Sequence, residues 1–269
     1  ILAPYDYYFV WNKDMHDKLL SIYPFIDNSK IFITGTPQFD FHFKPEFYLE
    51  REDFCRRIGI DPNRPFILYT TSMDRDFPQE YRTVEFVINI IKDIKIEPKP
   101  QLVVRTYVKG TSPEMKALSK SNIKDVFFPQ PLWSEKWLFT PLYEDLILYT
   151  NLLRHCSLGI NAASTVSLEL MMFDKPVINL GFDPPGSKLP YHLRWIRHIN
   201  YDHYAPVVKS GAVMVAKTPD EMRNLIIKGL TKPEDDSQKR KSFIKNMFDN
   251  TLDGNSGKRV AETLIKLIR

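Results

Sequence analysis

The chain has 269 residues, of which 43% are hydrophobic, 26% charged and 13% aromatic, enough for one large globular domain or two smaller ones. This profile excludes a disordered chain, a collagen and a coiled-coil rod. Lys and Arg number 37 against 33 Asp and Glu, a formal net charge of +4; that suits a small anionic ligand or an acidic membrane surface and falls short of a nucleic-acid footprint.

Ile1-Leu2-Ala3-Pro4 has no initiator Met, basic region or cleavage site, and runs straight into a strand-like Tyr7 to Trp11, so the chain is expected to be a fragment lacking earlier residues. A helix from Lys13 to Ile22 and a strand from Lys30 to Thr34 follow. A linker containing Pro37 and Pro45 then leads to a helix from Leu49 to Ile58, ended by Gly59. Strand Phe66 to Thr71 precedes helix Glu80 to Ile94, whose Val84, Val87, Ile88 and Ile91 form the i, i+3, i+4, i+7 stripe.

Further strands are expected at Gln101 to Arg105, Val126 to Phe128, Leu158 to Ile160, Pro176 to Leu180 and Val213 to Val215. The intervening helices are Pro113 to Ser119, Leu142 to His155, Ser164 to Phe173, a short one near Pro206, and Pro219 to Gly229. Two more, Asp235 to Phe248 and Ser256 to Ile268, close the chain. This alternation is that of βαβ units on a doubly wound parallel sheet. The expected division is a strand-helix-strand remnant over 1–44, an α/β domain over 45–250 and a C-terminal helix over 251–269. No stretch approaches the ~18 apolar residues of a membrane span.

Glycine supplies only 10 residues, about half its usual share of ~7%, so a Gly-rich phosphate loop is not expected. The segment Ile160-Asn161-Ala162-Ala163-Ser164-Thr165 offers another route. A buried strand ends, small residues turn the chain, and Ser164 or Thr165 is placed to cap a helix whose first N–H groups favour phosphate. Glu169, one turn in, is spaced to meet ribose hydroxyls. Thr71 and Ser72 end one strand, and Arg105 ends another, the position for charge-assisted phosphate contacts.

Ser164-Thr165-x-x-x-Glu169 followed by Asp174-Lys175-Pro176 resembles the donor-binding segment of GT-B glycosyltransferases, in particular those building surface polysaccharides and the related CDP-glycerol glycerophosphotransferases. Gly35-Thr36-Pro37-Gln38-Phe39-Asp40 is similar to the passage ending the N-terminal domain of those enzymes, and Phe66 to Ser72 to their first C-terminal strand. The resemblance spans roughly residues 7 to 229. It implies two Rossmann-like domains, the N-terminal one present as a remnant, with a nucleotide diphosphate sugar as substrate, no cofactor and no metal. Carried over, Asn161, Ser164 and Thr165 contact the diphosphate and Glu169 the ribose, while Thr71, Ser72 and Arg105 line the same cleft and His203 joins the donor site. The loop Phe128 to Leu132 falls where such folds hold the base. Relatives with an R-x-H-P reading carry His two residues after the Arg; here that residue is Tyr107, so no His-dependent step is assigned.

The implied function is transfer of a sugar to a glycan or lipid-linked acceptor, in the cytoplasm or at the inner membrane face with peripheral membrane contact and no nucleic-acid partner. The general base is expected from the N-terminal domain, so none is named. A UDP-N-acetylglucosamine 2-epimerase-like enzyme and a non-catalytic nucleotide-binding module are the alternatives. Asp74-Arg75-Asp76 matches the DxD metal signature but reads as a polar turn, and Gly254 to Lys258 as a helix-helix connector rather than a phosphate loop. Cys55 and Cys156 lie outside any CxxC and read as reduced thiols.

Overall fold

The computed structural model describes residues 5–134, 136 and 139–268. Ile1 to Pro4, read above as the broken start of a longer chain, lie outside the described residues. The chain opens with β1 (Tyr8–Val10), α1 (Lys13–Ile22) and β2 (Ile31–Ile33). The proline linker forms two short 3-10 turns, Pro37–Phe43 and Pro45–Phe47, before α2 (Arg51–Ile58). Then β3 (Phe66–Thr70), α3 (Glu80–Asp93), β4 (Gln101–Arg105), α4 (Pro113–Ser119) and β5 (Val126–Phe127) alternate.

A small antiparallel pair, β6 (Trp133–Ser134) and β7 (Thr140–Pro141), precedes α5 (Tyr143–His155). Next come β8 (Leu158–Asn161), α6 (Val166–Met172) and β9 (Val177–Leu180). Short helices α7 (Ile196–Ile199) and α8 (Ala205–Lys209) lead to β10 (Met214–Ala216) and α9 (Pro219–Thr231). The last elements are α10 (Ser237–Phe248) and α11 (Ser256–Ile268).

Two compact units emerge: residues to Tyr48 together with those from Ser242, and Leu49–Lys241. The division differs from the one expected at its C-terminal end, since the residues from Ser242 on group with the first unit. The reason lies in named contacts. The Asp40 carboxylate accepts from the N–H groups of Ser256 (2.9 Å) and Gly257 (2.7 Å), capping α11. Phe248, fully buried, packs its ring on Trp11 and Phe39. Gly35, at φ +78°, sits so close to Ser256 and Thr251 that a Cβ would lie 2.6 Å from the Ser256 hydroxyl oxygen. In this unit β1 and β2 pair in parallel, and the Asn12 side chain caps α1 through the Met15 N–H at 2.8 Å.

The second unit is built on one parallel six-stranded sheet in the order β10-β9-β8-β3-β4-β5. Its central strands, Phe-Ile-Leu-Tyr-Thr and Gln-Leu-Val-Val-Arg, are buried at all five positions, as strands covered on both faces must be. The α3 stripe of Val84, Val87, Ile88 and Ile91 is buried in the core. Ser112 and Thr218 cap α4 and α9, each followed by Pro at the first helical position. Cys55 and Cys156 are free and buried, and burial pushes the Cys156 thiol up to about 12. Starting from β3, the chain moves outward through β4 and β5, then returns to the other side of β3 with β8. The order therefore reverses between β3 and β8, where open parallel sheets bind ligands beyond their carboxyl ends.

Candidate functional site

At that edge the strands end in polar residues aligned by register. Thr70 stands opposite Arg105 on one side and Asn161 on the other, and Asn161 opposite Asn179. All four are buried. Asn161 Oδ1 accepts from Ser167 Oγ (2.9 Å), Asn179 Nδ2 (3.1 Å) and, at longer range, Ser164 Oγ (3.4 Å). Asn179 Nδ2 also donates to Ser167 Oγ at 2.9 Å. The Tyr204 hydroxyl lies 2.8 Å from both Ser167 Oγ and Asn179 Oδ1, and burial pushes it up to about 12. These groups satisfy one another except for Asn161 Nδ2, which is buried with no partner among the described residues.

Arg105 is the second such group. It is no surface arginine: its side chain is 10% exposed, and Nη2 donates to Asp145 Oδ2 at 2.7 Å. Its guanidinium carbon lies 4.8 Å from the centre of the Tyr149 ring, and Nη1 is buried without a partner among the described residues. Asp145 also accepts from the Leu132 N–H (2.9 Å) and Trp133 Nε1 (2.8 Å). Tyr149 in turn donates its hydroxyl to Glu169 Oε2 at 2.7 Å, and burial raises its ionisation well above the usual phenol range. A continuous set of contacts thus runs from Trp133 through Asp145, Arg105 and Tyr149 to Glu169. Leaving a buried donor unpaired costs about 1–3 kcal/mol, so two on one sheet edge mark a place where an acceptor is expected.

The remaining residues singled out in the sequence are placed less uniformly. Thr71 pairs its N–H with the Arg105 carbonyl (3.0 Å), and its hydroxyl accepts from the Tyr107 N–H (2.8 Å). The Ser72 N–H donates to Glu80 Oε2 at 2.8 Å, and Tyr69 donates to Glu80 Oε1 at 3.0 Å. Burial pushes the Glu80 carboxyl up to about 8. Thr165 occupies the position before α6 without a side-chain cap, and Ser164 Oγ is turned to Asn161. The expected hydroxyl cap is therefore not formed, because the backbone at Thr165 is already helical (φ −59°, ψ −22°). His203 is exposed, its ring 5.6 Å from that of Tyr201, and shares no hydrogen bond with the row among the described residues.

Phe128, Pro129, Gln130 and Leu132 border a cavity of about 530 Å³ whose other walls include Phe54 and Ile147. Arg75 and Asp76 form an exposed ion pair, and among the described residues no group of three or more His, Cys, Asp or Glu could hold a metal ion. Sequence reasoning missed Asp145, Tyr149, Ser167, Asn179, Tyr204 and Glu80. A signal did exist for the first two: Asp145 and Tyr149 stand at i and i+4, on one face of α5.

A six-stranded parallel sheet in this order, with its polar row at the switch point, is a Rossmann-like α/β fold. No family model and no curated protein matches the chain. Solved structures do. A UDP-GlcNAc 2-epimerase from Neisseria meningitidis bound to UDP-GlcNAc superposes with a TM-score of 0.62 at 16% identity, over 97% of this chain and 62% of the other. The wall teichoic acid polymerase TagF gives 0.63 at 13%, over 98% and 58%. A TagF variant soaked with CDPG gives 0.58 at 12%, over 98% and 57%. The chain thus spans about 60% of the length of the structures it matches, and at these identities the likeness is one of fold.

Proposed function

We propose that the second unit is the donor-binding domain of a GT-B glycosyltransferase, moving a sugar from a nucleotide diphosphate donor to a glycan or lipid-linked acceptor of a surface polysaccharide. The observation that carries this reading is the pair of buried, unpartnered donors, Arg105 Nη1 and Asn161 Nδ2, on the two strands flanking Thr70. A leaving diphosphate gathers negative charge, and prearranged buried donors stabilise such charge more effectively than water does. In this reading Arg105, Asn161, Ser164 and Thr165 meet the diphosphate, and Glu169 meets the ribose. Thr71 and Ser72 line the approach, the loop from Phe128 to Leu132 takes the base, and His203 joins from its exposed turn.

The fold neighbours support a nucleotide-linked substrate, since one is bound to UDP-GlcNAc and another was soaked with CDPG. Cytoplasmic placement with peripheral contact at the inner membrane face belongs to the same proposal, supported by the +4 charge; among the described residues no helix is long and apolar enough to cross a membrane. No general base is assigned. The test is a thermal-shift panel of UDP, CDP and GDP followed by calorimetry on Arg105→Ala, Ser164→Ala and Glu169→Ala. Unchanged affinity in all three variants overturns the site. Product analysis with UDP-, CDP- and GDP-sugars separates the chemistries: transfer to acceptor supports the proposal, and an interconverted sugar nucleotide reassigns the chain to the epimerases.

A further inference from the structure

The Asp145 carboxylate gathers three donors from two separate segments: Arg105 Nη2 at the end of β4, and, beyond β5, the Leu132 N–H and the indole of Trp133, where β6 begins. Its side chain is 2% exposed, so water does not compete for these bonds. A guanidinium is planar, and fixing Nη2 on Asp145 while its face rests on Tyr149 leaves Nη1 one direction in which to point. The same carboxylate holds the loop read above as the base side of the site. We propose that Asp145 is a positioning residue that sets Arg105 for the diphosphate and the Leu132–Trp133 segment for the nucleoside, so that the two halves of a nucleoside diphosphate are recognised through one buried carboxylate. This rests on the donor-binding reading above and names the residue that makes it a single site.

Asparagine at 145 would supply one acceptor where two oxygens now serve three donors, and would turn an N–H₂ toward Arg105 or Trp133. Arg105 would then lose its fixed plane. Trp133→Phe removes one donor and leaves the Arg105 pair intact. The link therefore predicts opposite signatures for the two variants.

Calorimetry on the whole chain with UDP, CDP, UMP, CMP and inorganic pyrophosphate tests this. Asp145→Asn is expected to weaken the diphosphates by about 10- to 100-fold, the worth of one charge-assisted hydrogen bond, and to lower the ratio of diphosphate to monophosphate affinity. Trp133→Phe is expected to weaken the nucleotides while leaving pyrophosphate unchanged. In the wild type, pyrophosphate alone should shift the Trp133 indole N–H resonance, assigned by its loss in Trp133→Phe. Equal weakening of every probe in Asp145→Asn, or an indole signal that pyrophosphate does not move, overturns the proposal. Should Asp145→Asn fail to fold, the Trp133→Phe and resonance measurements still decide it. If the wild type binds UDP or CDP and Asp145→Asn binds as well, only the positioning role falls. If the wild type binds no nucleotide, the donor-binding reading falls and this inference with it.

Discussion

The Tyr149 hydroxyl donates to Glu169 Oε2 across 2.7 Å, tying α5 to α6 at the point where the ribose is proposed to sit. Glu169 is buried and Tyr149 partly so, which limits competition from water for this bond. Tyr149→Phe keeps the ring beneath Arg105 and removes only this donor. We expect a loss of about 1–2 kcal/mol, read as a lower urea midpoint with an unchanged slope. An unaltered midpoint would contradict this account of α5.

Glu80 makes stability depend on pH in an unusual direction. Burial lifts its folded-state pKa from 4.5 to about 8, so between these values the folded chain keeps a proton that the unfolded chain has released. The folded state then binds more protons, and stability from this group is full below about 4.5 and falls as pH rises toward 8, by on the order of 1 kcal/mol per pH unit. Glu80→Gln should lack that slope. Urea titrations at pH 5, 6, 7 and 8 would show the two proteins diverging, and parallel curves would refute the assignment.

The polar hub of Asn161, Ser167, Asn179 and Tyr204 is expected to respond unequally to truncation. Tyr204→Phe removes one hydroxyl and should cost about 1 kcal/mol. Asn179→Ala takes away partners of Asn161, Ser167 and Tyr204 together and should cost about 2–3 kcal/mol. Thermal melts of both variants check the ranking, and a reversed order would mean that the hub is not organised around Asn179.

Gly159 is required by packing. A Cβ there would lie 2.2 Å from Leu170 Cδ1, deep in the sheet-helix interface. Gly159→Ala should destabilise by about 1–3 kcal/mol through overpacking. Pairing it with Leu170→Val should recover part of that loss, so the two effects would not add. Strict additivity in the double variant would remove the clash as the cause.

Much of the fold was legible because its signals are local. The stripe through Val84, Val87, Ile88 and Ile91 and the apolar runs of β3 and β4 depend on neighbours a few residues away, and each element forms within a residue or two of its expected place. The site was legible only in part. Arg105 and Asn161 could be singled out because apolar strands end on them. Their partners could not, since Arg105 meets Asp145 forty residues on, and Tyr204 meets Ser167 thirty-seven residues back. Ser164 misled for a related reason: a hydroxyl before a helix predicts a cap, but Asn161 Oδ1 is within reach of its side chain and the backbone before α6 is already helical.

Asp40 reaches 216 residues along the chain to hold the first N–H groups of α11. The first unit therefore draws on two segments far apart along the chain, residues to Tyr48 and those from Ser242. Its two three-residue strands are made before the second unit. The ribosome must then deliver the whole second unit before Phe248 and α11 exist, a wait of roughly 10–40 s at ordinary synthesis rates. Through that interval the aromatic cluster of Trp11 and Phe39 lacks Phe248, its later partner. The second unit has all six of its sheet strands by then, so its sheet can form before that cluster is complete.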